Sequence, residues 1–445
     1  MSNTILFKNA QVVNEGKTQT LDVLVKGNRI DRIDAFIDQP MGACRVIDAA
    51  GLHLLPGCID DQVHFREPGL THKADLMTES RAAVARGVTS YMEMPNTVPA
   101  ALTQDLLEEK YARAAQVSIA NYSFFMGVSN DNTEEVLRTN AKKRDICGIK
   151  IFMGSSTGAM LVDNYITLGR IFEGSELLIA THCEDERLIA ANRLRYPDAD
   201  NASFHPLLRD AAACFASSFS AVQLAKKFDT RLHILHITTE EELRLFTNMM
   251  PLAEKRITAE VCVHHLHFTA DDYERLGNLI KCNPAIKAAH NKPKLWEALL
   301  DDRLDIIATN HAPHTWEEKQ QPFQQAPAGL PLVQHPLLLM LDYAKKGVIS
   351  VEKIVEKMAH APAICYQVAE RGFIREGYFA DLVLVDLAGS TTVKKSELLY
   401  KCGWSPLEGM TLPARIKSTF VNGREVWDGE RILEGDMGMR LRFER

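Results

Sequence analysis

Apolar runs of strand length alternate with amphipathic stretches through the centre of the chain. The first run lies within Leu54–Gly69, and later runs are followed by helical patterns. The later strands are expected at Val88–Met94, Ile119–Val128, Ile146–Met153, Leu177–Thr181, Arg231–Ile237, Ile257–Val263 and Leu304–Thr309. The helices are expected at Asp75–Arg86, Thr103–Ala115, Thr133–Asn140, Arg209–Phe228, Glu240–Ala253 and Lys292–Leu300.

Both ends of the chain show a different pattern, in which short β-rich runs are joined by turns. Residues 4 to 50 contain several such runs around the turn at Lys26-Gly-Asn28. The same pattern returns in Ile416–Trp427, where Asn422-Gly423 suits a tight hairpin. We therefore expect one small β domain that is shared by the two ends.

Eight strand and helix units in succession predict an α/β fold, a (β/α)8 TIM barrel with its active site at the carboxyl ends of the strands. A doubly wound open sheet is the alternative, but no Gly-x-Gly-x-x-Gly turn follows the first strand. The expected divisions are 1-52 and 369-445 for the β domain and 53-368 for the barrel. Gln320–Leu330 is expected to form a mobile loop over the barrel mouth, and a Gly/Ser-rich loop is expected to run through Gly158.

Composition and charge exclude several classes of function. The net charge of the 445 residues is -7 and no basic face is evident, which argues against binding of nucleic acid or an anionic membrane. No apolar run reaches about 18 residues, and the first 21 residues do not resemble a signal segment, so a cytoplasmic protein is expected. The nine cysteines form no Cys-x-x-Cys pair and are interpreted as buried thiols.

Candidate chemistry is concentrated at the strand ends. His64, Lys150, His182 and His236 follow or lie in four of the predicted strands, and Asn310-His-Ala-Pro-His314 follows the last. Imidazoles gathered at one end of a barrel are typical of a zinc site. A lysine buried in a strand would be costly as an unpaired cation. If carbon dioxide carbamylated its amine, Lys150 would become an anionic ligand able to bridge two metals.

Three motifs resemble those of class I dihydroorotases in the amidohydrolase superfamily: Val63-His-Phe-Arg-Glu-Pro-Gly69, Met94-Pro-Asn-Thr97 and Ile307-Ala-Thr-Asn-His-Ala-Pro-His314. The resemblance implies reversible cyclisation of N-carbamoyl-L-aspartate to dihydroorotate in pyrimidine biosynthesis. It further implies that Arg66 and Asn96 hold the substrate carboxylate, while Asn283 and His314 support the ring. Hydantoinases and allantoinases share the metal pattern but generally lack the arginine.

Two positions depart from the family pattern. The family motif Asp-x-His-x-His is replaced by Asp60-Asp-Gln-Val-His64, and Asp-His-Ala-Pro-His begins here with Asn310. Gln62 and Asn310 both fall on the first metal site that the resemblance implies, whereas the second, with Lys150, His182 and His236, is complete. We therefore predict one tightly bound zinc, with His64 remaining from the other site, which is weak or empty.

Asn310 also occupies the position of the expected catalytic aspartate, the proton shuttle, and an amide cannot ionise. General acid-base catalysis typically contributes about 10²–10⁴-fold, so a large loss of rate is expected. His311 and His314 are the candidates to replace it.

Three hypotheses on function follow. The first is a working dihydroorotase; the second is a catalytically silent homologue that acts as a structural partner of aspartate transcarbamoylase. The third is a hydrolase of another cyclic amide. Family resemblance also suggests a homodimer. Of the remaining histidines, we interpret His233 as structural, and His264, His265 and His267 as one residue supporting the site and two loop positions.

Overall fold

The computed structural model describes residues 4–154 and 160–445; residues 155–159, and with them most of the predicted Gly/Ser-rich loop, lie outside this description. The strands, in chain order, are β1 (Thr4–Asn14), β2 (Lys17–Lys26), β3 (Arg29–Asp34), β4 (Arg45–Asp48), β5 (His53–Pro56), β6 (Cys58–Val63), β7 (Val88–Glu93), β8 (Asn121–Phe124), β9 (Met126–Gly127), β10 (Ile149–Phe152), β11 (Ile179–His182), β12 (Leu232–Ile234), β13 (Ile257–Cys262), β14 (Ile306–Ala308), β15 (Leu382–Asp386), β16 (Thr391–Thr392), β17 (Thr411–Leu412), β18 (Arg415–Val421) and β19 (Arg424–Trp427).

The α-helices, in chain order, are α1 (Leu76–Val84), α2 (Gln104–Val117), α3 (Thr133–Leu137), α4 (Tyr165–Gly174), α5 (Glu186–Arg195), α6 (His205–Leu208), α7 (Ala211–Phe228), α8 (Val263–His267), α9 (Tyr273–Leu276), α10 (Asn291–Leu300), α11 (Trp316–Lys319), α12 (Pro336–Lys345), α13 (Val351–Val355) and α14 (Ala361–Tyr366). None of the helices among the described residues is long and apolar enough to cross a membrane.

Strands β6 to β14 form a parallel barrel. They pair in the order β6-β7-β8 and β9-β10-β11-β12-β13-β14, and only Phe125 separates β8 from β9. The barrel closes where Val63 bridges His311 in parallel and the His64 amide donates to the His311 carbonyl at 2.7 Å. The predicted (β/α)8 barrel is therefore confirmed, and an open sheet is excluded.

Apolar side chains fill the barrel at the amino ends of its strands. Ile59, Phe125 and Leu178 belong to one buried cluster there, and Leu441 and Phe443 join it from near the end of the chain. Strands buried on both faces are typical of parallel sheets covered by helices. Polar side chains gather at the opposite, carboxyl-end layer, and Asp61, His233 and Glu260 form a further buried polar group inside the barrel.

A second sheet combines strands from both ends of the chain. Its order is β19-β18-β15-β5-β1-β2-β3, with β4 paired to β1. Strand β5 belongs to this sheet, so the barrel strands begin at Cys58. The shared β unit agrees with the hairpin patterns of the two ends, and the exact domain bounds stay a prediction.

One helix prediction is wrong, and several observed helices, among them α4, α5 and α12, were not predicted. The segment Glu240–Ala253 is not an α-helix and contains only the 3-10 turns Glu242–Leu245 and Leu252–Glu254. The Glu242 side chain turns inward and accepts a hydrogen bond from Ser218 at 2.6 Å, so it does not lie on a solvated helix face. Helix α5, which follows His182 closely, was not predicted because its apolar residues do not form one continuous stripe.

Candidate active site

The candidate active site lies at the carboxyl ends of the barrel strands. His64 follows β6, Lys150 lies in β10 and His182 ends β11. His236 and Asn310 each come two residues after their strands, β12 and β14. All five side chains are buried. This is the end of the barrel at which active sites of this fold are found.

The backbone turns sharply at three of the site positions. Arg66, His236 and Asn310 have φ values of 70°, 43° and 48°, a region that residues with a side chain rarely adopt. Such conformations cost about 1–3 kcal/mol each and are concentrated at functional sites. Here they occur just after the strand ends, where the chain leaves the barrel wall.

His182 and His236 face each other across the site. Nδ1 of His182 lies 3.0 Å from Nε2 of His236, and the rings are nearly perpendicular, with their centroids 4.8 Å apart. Nδ1 of His236 is buried and has no hydrogen-bond partner among the described residues. Burial lowers the pKa of both histidines, which favours the neutral imidazoles that bind metals.

A buried carboxylate orients His182. Nε2 of His182 lies 3.0 Å from Oε2 of Glu184, and the Arg209 guanidinium contacts the same oxygen. Burial alone would raise the pKa of Glu184, but Arg209 and His182 together lower it to about 2. Carboxylates in this position fix the tautomer and orientation of metal-binding histidines. The roles of Glu184 and Arg209 were not predicted, although Glu184 lies in the same sequence motif as His182.

Lys150 lies deep in the barrel, where only 1% of its surface is exposed. Burial lowers its pKa to about 7, and Cys183 and Glu260 oppose that shift only in part. Its charged form also lowers the pKa of His182 and His236, which places the amine near both rings. A neutral amine is the form that reacts with carbon dioxide, so the environment suits carbamylation.

His64 is held by the predicted substrate-binding residue Asn96. Nδ1 of His64 lies 2.7 Å from the amide oxygen of Asn96, which can only accept, so Nδ1 donates. The lone pair of Nε2 then stays available to a cation. Burial, followed by the charge of Arg66, keeps the pKa of His64 well below its ordinary value.

A cationic corner lies beside these histidines. The Arg66 guanidinium lies 3.1 Å from Nε2 of His314, and Lys73 Nζ lies 3.1 Å from Nδ1 of the same ring. Lys73 also pairs with Glu318 at 2.9 Å. Arg66 and His314 were predicted, whereas Lys73 and Glu318 were not, because they follow no strand and no recognisable motif.

Gln62 and Asn310, the two residues that differ from the family motifs, make hydrogen bonds within the protein. Gln62 Oε1 accepts from the Cys262 thiol at 3.5 Å, and Asn310 Nδ2 donates to the Asn283 carbonyl at 3.3 Å. The Asn283 amide oxygen in turn lies 3.1 Å from Nε2 of His205. Asn283 is therefore positioned from two sides, and His205 is a further site residue that sequence patterns did not reveal.

Both ring nitrogens of His311 make hydrogen bonds within the protein. Its Nδ1 accepts from the Leu332 and Val333 amides at 2.9 and 3.2 Å, while Nε2 lies 2.8 Å from the Glu79 carboxylate. With both ring nitrogens occupied, His311 has no capacity to move a proton. His314, the other candidate to replace the missing aspartate, is likewise engaged at both ring nitrogens, because Arg66 and the Ala328 carbonyl lie at Nε2 and Lys73 lies at Nδ1.

His233 lies inside the barrel, and the Glu260 carboxylate that it contacts also accepts a hydrogen bond from the His236 backbone amide at 3.2 Å. Nε2 of His233 lies 3.1 Å from Glu260 and 3.5 Å from Asp61, and its Nδ1 lies 2.8 Å from the Thr258 hydroxyl. Burial raises the pKa of Glu260 to about 8. This arrangement agrees with a structural role for His233.

A closed (β/α)8 barrel with histidines and a buried lysine at its carboxyl end defines the amidohydrolase class. A family model described as Amidohydrolase family matches residues 226–426, and one described as Dihydro-orotase-like matches residues 51–242. An L-hydantoinase (dihydropyrimidinase) from Arthrobacter aurescens has a similar structure, with a TM-score of 0.92 and 26% identity over 99% of this chain and 100% of that chain. A dihydropyrimidinase from Brevibacillus agri shares the fold, with a TM-score of 0.88, 23% identity and coverage of 99% and 100%.

Relatives with named activities identify the family to which the chain belongs within the amidohydrolase class. A dihydroorotase from Halobacterium salinarum is 33% identical over 96% of this chain and 97% of its own length. A dihydroorotase from Bacillus cytotoxicus is 30% identical over 96% and 99%. The chain belongs to the dihydroorotase family.

Proposed function

We propose that the chain catalyses the reversible cyclisation of N-carbamoyl-L-aspartate to (S)-dihydroorotate in de novo pyrimidine (UMP) biosynthesis. The observation that carries the proposal is the buried Arg66 guanidinium beside His314 in the cationic corner. Although burial lowers the pKa of Arg66 to about 10, the group stays charged at neutral pH. An arginine fork of this kind suits a carboxylate, which dihydroorotate carries and simple hydantoins lack.

The residues that would hold zinc are His64, Lys150, His182 and His236. The 3.0 Å between His182 Nδ1 and His236 Nε2 is close to the separation of about 3.3 Å expected for two nitrogen ligands on one tetrahedral zinc. A bound zinc would polarise the amide carbonyl and lower the pKa of its water to about 7. We propose one tightly held zinc, with carbamylated Lys150 as an anionic ligand.

A second metal would depend on Gln62 and Asn310. Both are neutral amides, and both already make hydrogen bonds within the protein. They supply no negative charge to offset a second divalent ion beside the first. We therefore propose that this second site, to which His64 also belongs, is weakly occupied.

Proton transfer limits the proposed reaction. Asn310 cannot ionise, and His311 is occupied on both ring nitrogens. His314 stays neutral because burial and Arg66 keep its pKa well below the ordinary value. We therefore expect measurable but slow turnover, in which Arg66 binds the carboxylate and Asn283 and His314 support the ring.

The test is turnover by the pure protein with zinc and bicarbonate supplied. Dihydroorotate and carbamoyl aspartate are compared with hydantoin and dihydrouracil, which carry no carboxylate. Faster hydrolysis of dihydroorotate supports the proposal. A preference for hydantoin or dihydrouracil would contradict it and favour the hydrolase of another cyclic amide.

The alternative hypothesis is that the chain has no catalytic activity. The named relatives give no support to a non-catalytic partner of aspartate transcarbamoylase, and the two amides are the only observation that favours it. If the parent protein shows no turnover under any zinc and bicarbonate condition, the non-catalytic hypothesis is favoured again. Co-purification with the transcarbamoylase would then test it. A homodimer and a cytoplasmic location remain predictions.

Arg66→Lys separates substrate recognition from the rest of the site. The lysine keeps the charge but loses the two-pronged geometry, so kcat/KM for dihydroorotate should fall by about 10–100-fold, mainly through KM. Arg187→Lys is the matched control, because Arg187 is exposed and pairs only with neighbouring Asp185. Equal effects of the two changes would argue against a carboxylate clamp at Arg66.

A further inference from the structure

Three potential metal ligands meet at the end of the seventh barrel strand. Strand β13 ends at Cys262, and the short helix α8 that follows carries His264 and His265. All three are buried, with at most 3% of their surface exposed. One ligand atom from each lies within 4.8 Å of the others.

A fourth donor comes from another segment. The buried Cys282 lies immediately before Asn283, and its Sγ is 3.8 Å from Nε2 of His265. Cys282 thus adds a second thiol beside a group of one thiol and two imidazoles, and it lies 17 or more residues from each of them in the chain. Two cysteines and two histidines are a common donor set of tetrahedral zinc sites in proteins.

Only some of these donor atoms have protein partners: Nε2 of His265 and the Cys282 thiol each lie 3.2 Å from the Pro284 carbonyl, and the Cys262 thiol donates to Gln62. Neither ring nitrogen of His264 has a hydrogen-bond partner of ordinary geometry, although the Thr309 backbone lies close enough to favour its protonated form slightly. Nδ1 of His265 also lacks a hydrogen-bond partner within residues 4–154 and 160–445. An unsatisfied buried polar atom costs about 1–3 kcal/mol, so a ligand that engages these nitrogens would recover part of that cost.

We propose that Cys262, His264, His265 and Cys282 bind a thiophilic divalent cation, and that Zn²⁺ is the ion this donor set favours. None of the four residues belongs to the candidate catalytic metal site. The proposal is therefore independent of the proposed reaction.

Cys262, His264 and His265 need only small side-chain movements to bind one cation, whereas Cys282 would have to move in from the Nε2 side of His265. Ligand atoms of a tetrahedral zinc lie about 3.3–3.8 Å apart, as its bond lengths of about 2.0–2.3 Å require. The ligand atoms of Cys262, His264 and His265 lie within 4.8 Å of one another, so each side chain would have to move by about 1 Å to reach these distances. Rotation about side-chain bonds supplies shifts of that size without moving the strand.

The protonation states suit the cation as well. Burial lowers the pKa of His264 to about 3, so the ring is neutral and its lone pair is free. Burial raises the pKa of the Cys282 thiol to about 12, although Lys319 and Lys287 oppose the rise. On binding, each thiol would release its proton to solvent as its sulfur bonds the cation, since metals deprotonate coordinating thiols.

Such a cation would stabilise one wall of the active site. It would tie the Cys282-Asn283 segment to the end of β13, and the Asn283 carbonyl accepts from Asn310. Cys262 also lies 3.5 Å from the Gln62 side chain. The role is structural, because the cation would position Asn283 and take no part in proton transfer.

The experiment exploits sulfur, because none of the proposed catalytic zinc ligands His64, Lys150, His182 and His236 is a cysteine. Metal-free full-length protein is reconstituted with Co²⁺, and the near-ultraviolet thiolate-to-cobalt charge-transfer absorption is recorded. We expect this absorption in the parent, and we expect its loss in Cys262→Ser and in Cys282→Ser. It should persist in His182→Asn, which removes a catalytic ligand, and in Cys365→Ser, a matched change at a buried cysteine outside the cluster.

Two results would overturn the proposal: no thiolate absorption in the parent, or absorption that survives in both Cys262→Ser and Cys282→Ser. If the serine variants do not fold, X-ray absorption of the zinc-loaded parent decides the question. Sulfur neighbours at about 2.3 Å from zinc support the site. A shell of nitrogen and oxygen alone refutes it.

Discussion

At the scale of single residues, the amide at position 310 controls what the site can do. Asn310 keeps the strained backbone that directs a side chain into the barrel, with φ of 48°, and its NH₂ group donates to Asn283. An aspartate there would need the same backbone but would add a charge and a proton acceptor. The backbone conformation at position 310 therefore suits the aspartate of the family motif as well as the asparagine that is present.

Asn310→Asp should raise kcat for dihydroorotate hydrolysis by about 10²–10⁴-fold, the usual contribution of general acid-base catalysis. The same change should increase zinc content, because it restores an anionic ligand. Steady-state kinetics and metal analysis measure the two effects. Asn248→Asp, at an exposed position, is the control for added charge. An unchanged kcat would mean that another group already moves the proton.

Glu184 offers a test through pH. Its folded-state pKa of about 2 lies below the ordinary value of 4.5, so its stabilisation is present above pH 4.5 and is lost as the pH falls towards 2. The shift corresponds to roughly 3 kcal/mol of unfolding free energy. Glu184→Gln should therefore be less stable than the parent at pH 7, by an amount that shrinks below pH 4.5.

Urea unfolding at several pH values measures this difference, with the exposed Glu254→Gln as control. A gap between Glu184→Gln and the parent that stays constant from pH 7 to pH 3 would contradict the assigned charge state of Glu184. Zinc affinity should also fall in the variant, by about 10–100-fold, because His182 loses its orienting carboxylate.

At the scale of elements, the segment Gln320–Leu330 is held by two buried lysines. Lys319 Nζ donates to the carbonyls of Lys281, Pro327 and Gly329 at 2.9–3.2 Å. Lys281 Nζ donates to two further carbonyls of the same loop, at Phe323 and Ala326. A sequence rich in Gln, Pro and Gly is thus fixed by lysine amines that donate hydrogen bonds to its carbonyl groups.

Lys319→Met should release this loop, because the methionine fills a similar volume but leaves three carbonyls without their donor. We expect a loss of about 2–4 kcal/mol of unfolding free energy and faster hydrogen exchange in the loop. Exchange measured by mass spectrometry localises the effect. Lys345→Met, at an exposed helix end, is the control. Unchanged exchange in the loop would show that its own packing suffices.

At the scale of the whole molecule, a segment near residue 445 closes the amino end of the barrel. Leu441 and Phe443 join the buried cluster of Ile59 and Phe125, and Arg445 donates to the Cys147 and Tyr366 carbonyls, both at 2.7 Å. Contacts therefore link residues about 300 positions apart in the chain. We expect the barrel and this segment to unfold together.

Phe443→Ala should lower the unfolding free energy by about 3–5 kcal/mol, the usual cost of deleting a buried aromatic ring. Chemical denaturation followed by both tryptophan fluorescence and circular dichroism measures the loss and shows whether a single transition remains. Phe36→Ala removes a ring that is 65% exposed and should have little effect. A similar loss in both variants would mean that Phe443 does not close the barrel.

The alternation of strands and helices was predictable because each element obeys a local rule. Strands buried on both faces require continuous apolar runs, and helices require one apolar stripe. The predicted Glu240–Ala253 helix was wrong because Glu242 bonds Ser218 in α7, a contact between distant elements. Local periodicity carries no information on such partners.

The sequence alone determined the barrel, the shared β sheet of the two ends and the positions of the strand-end histidines, since chain direction places all carboxyl ends together. Only the tertiary structure decided which side chains meet. The pairs Glu184 with Arg209, Lys73 with His314, and Cys282 with His265 each join separate segments. Their contacts depend on packing distances that no spacing along the chain encodes.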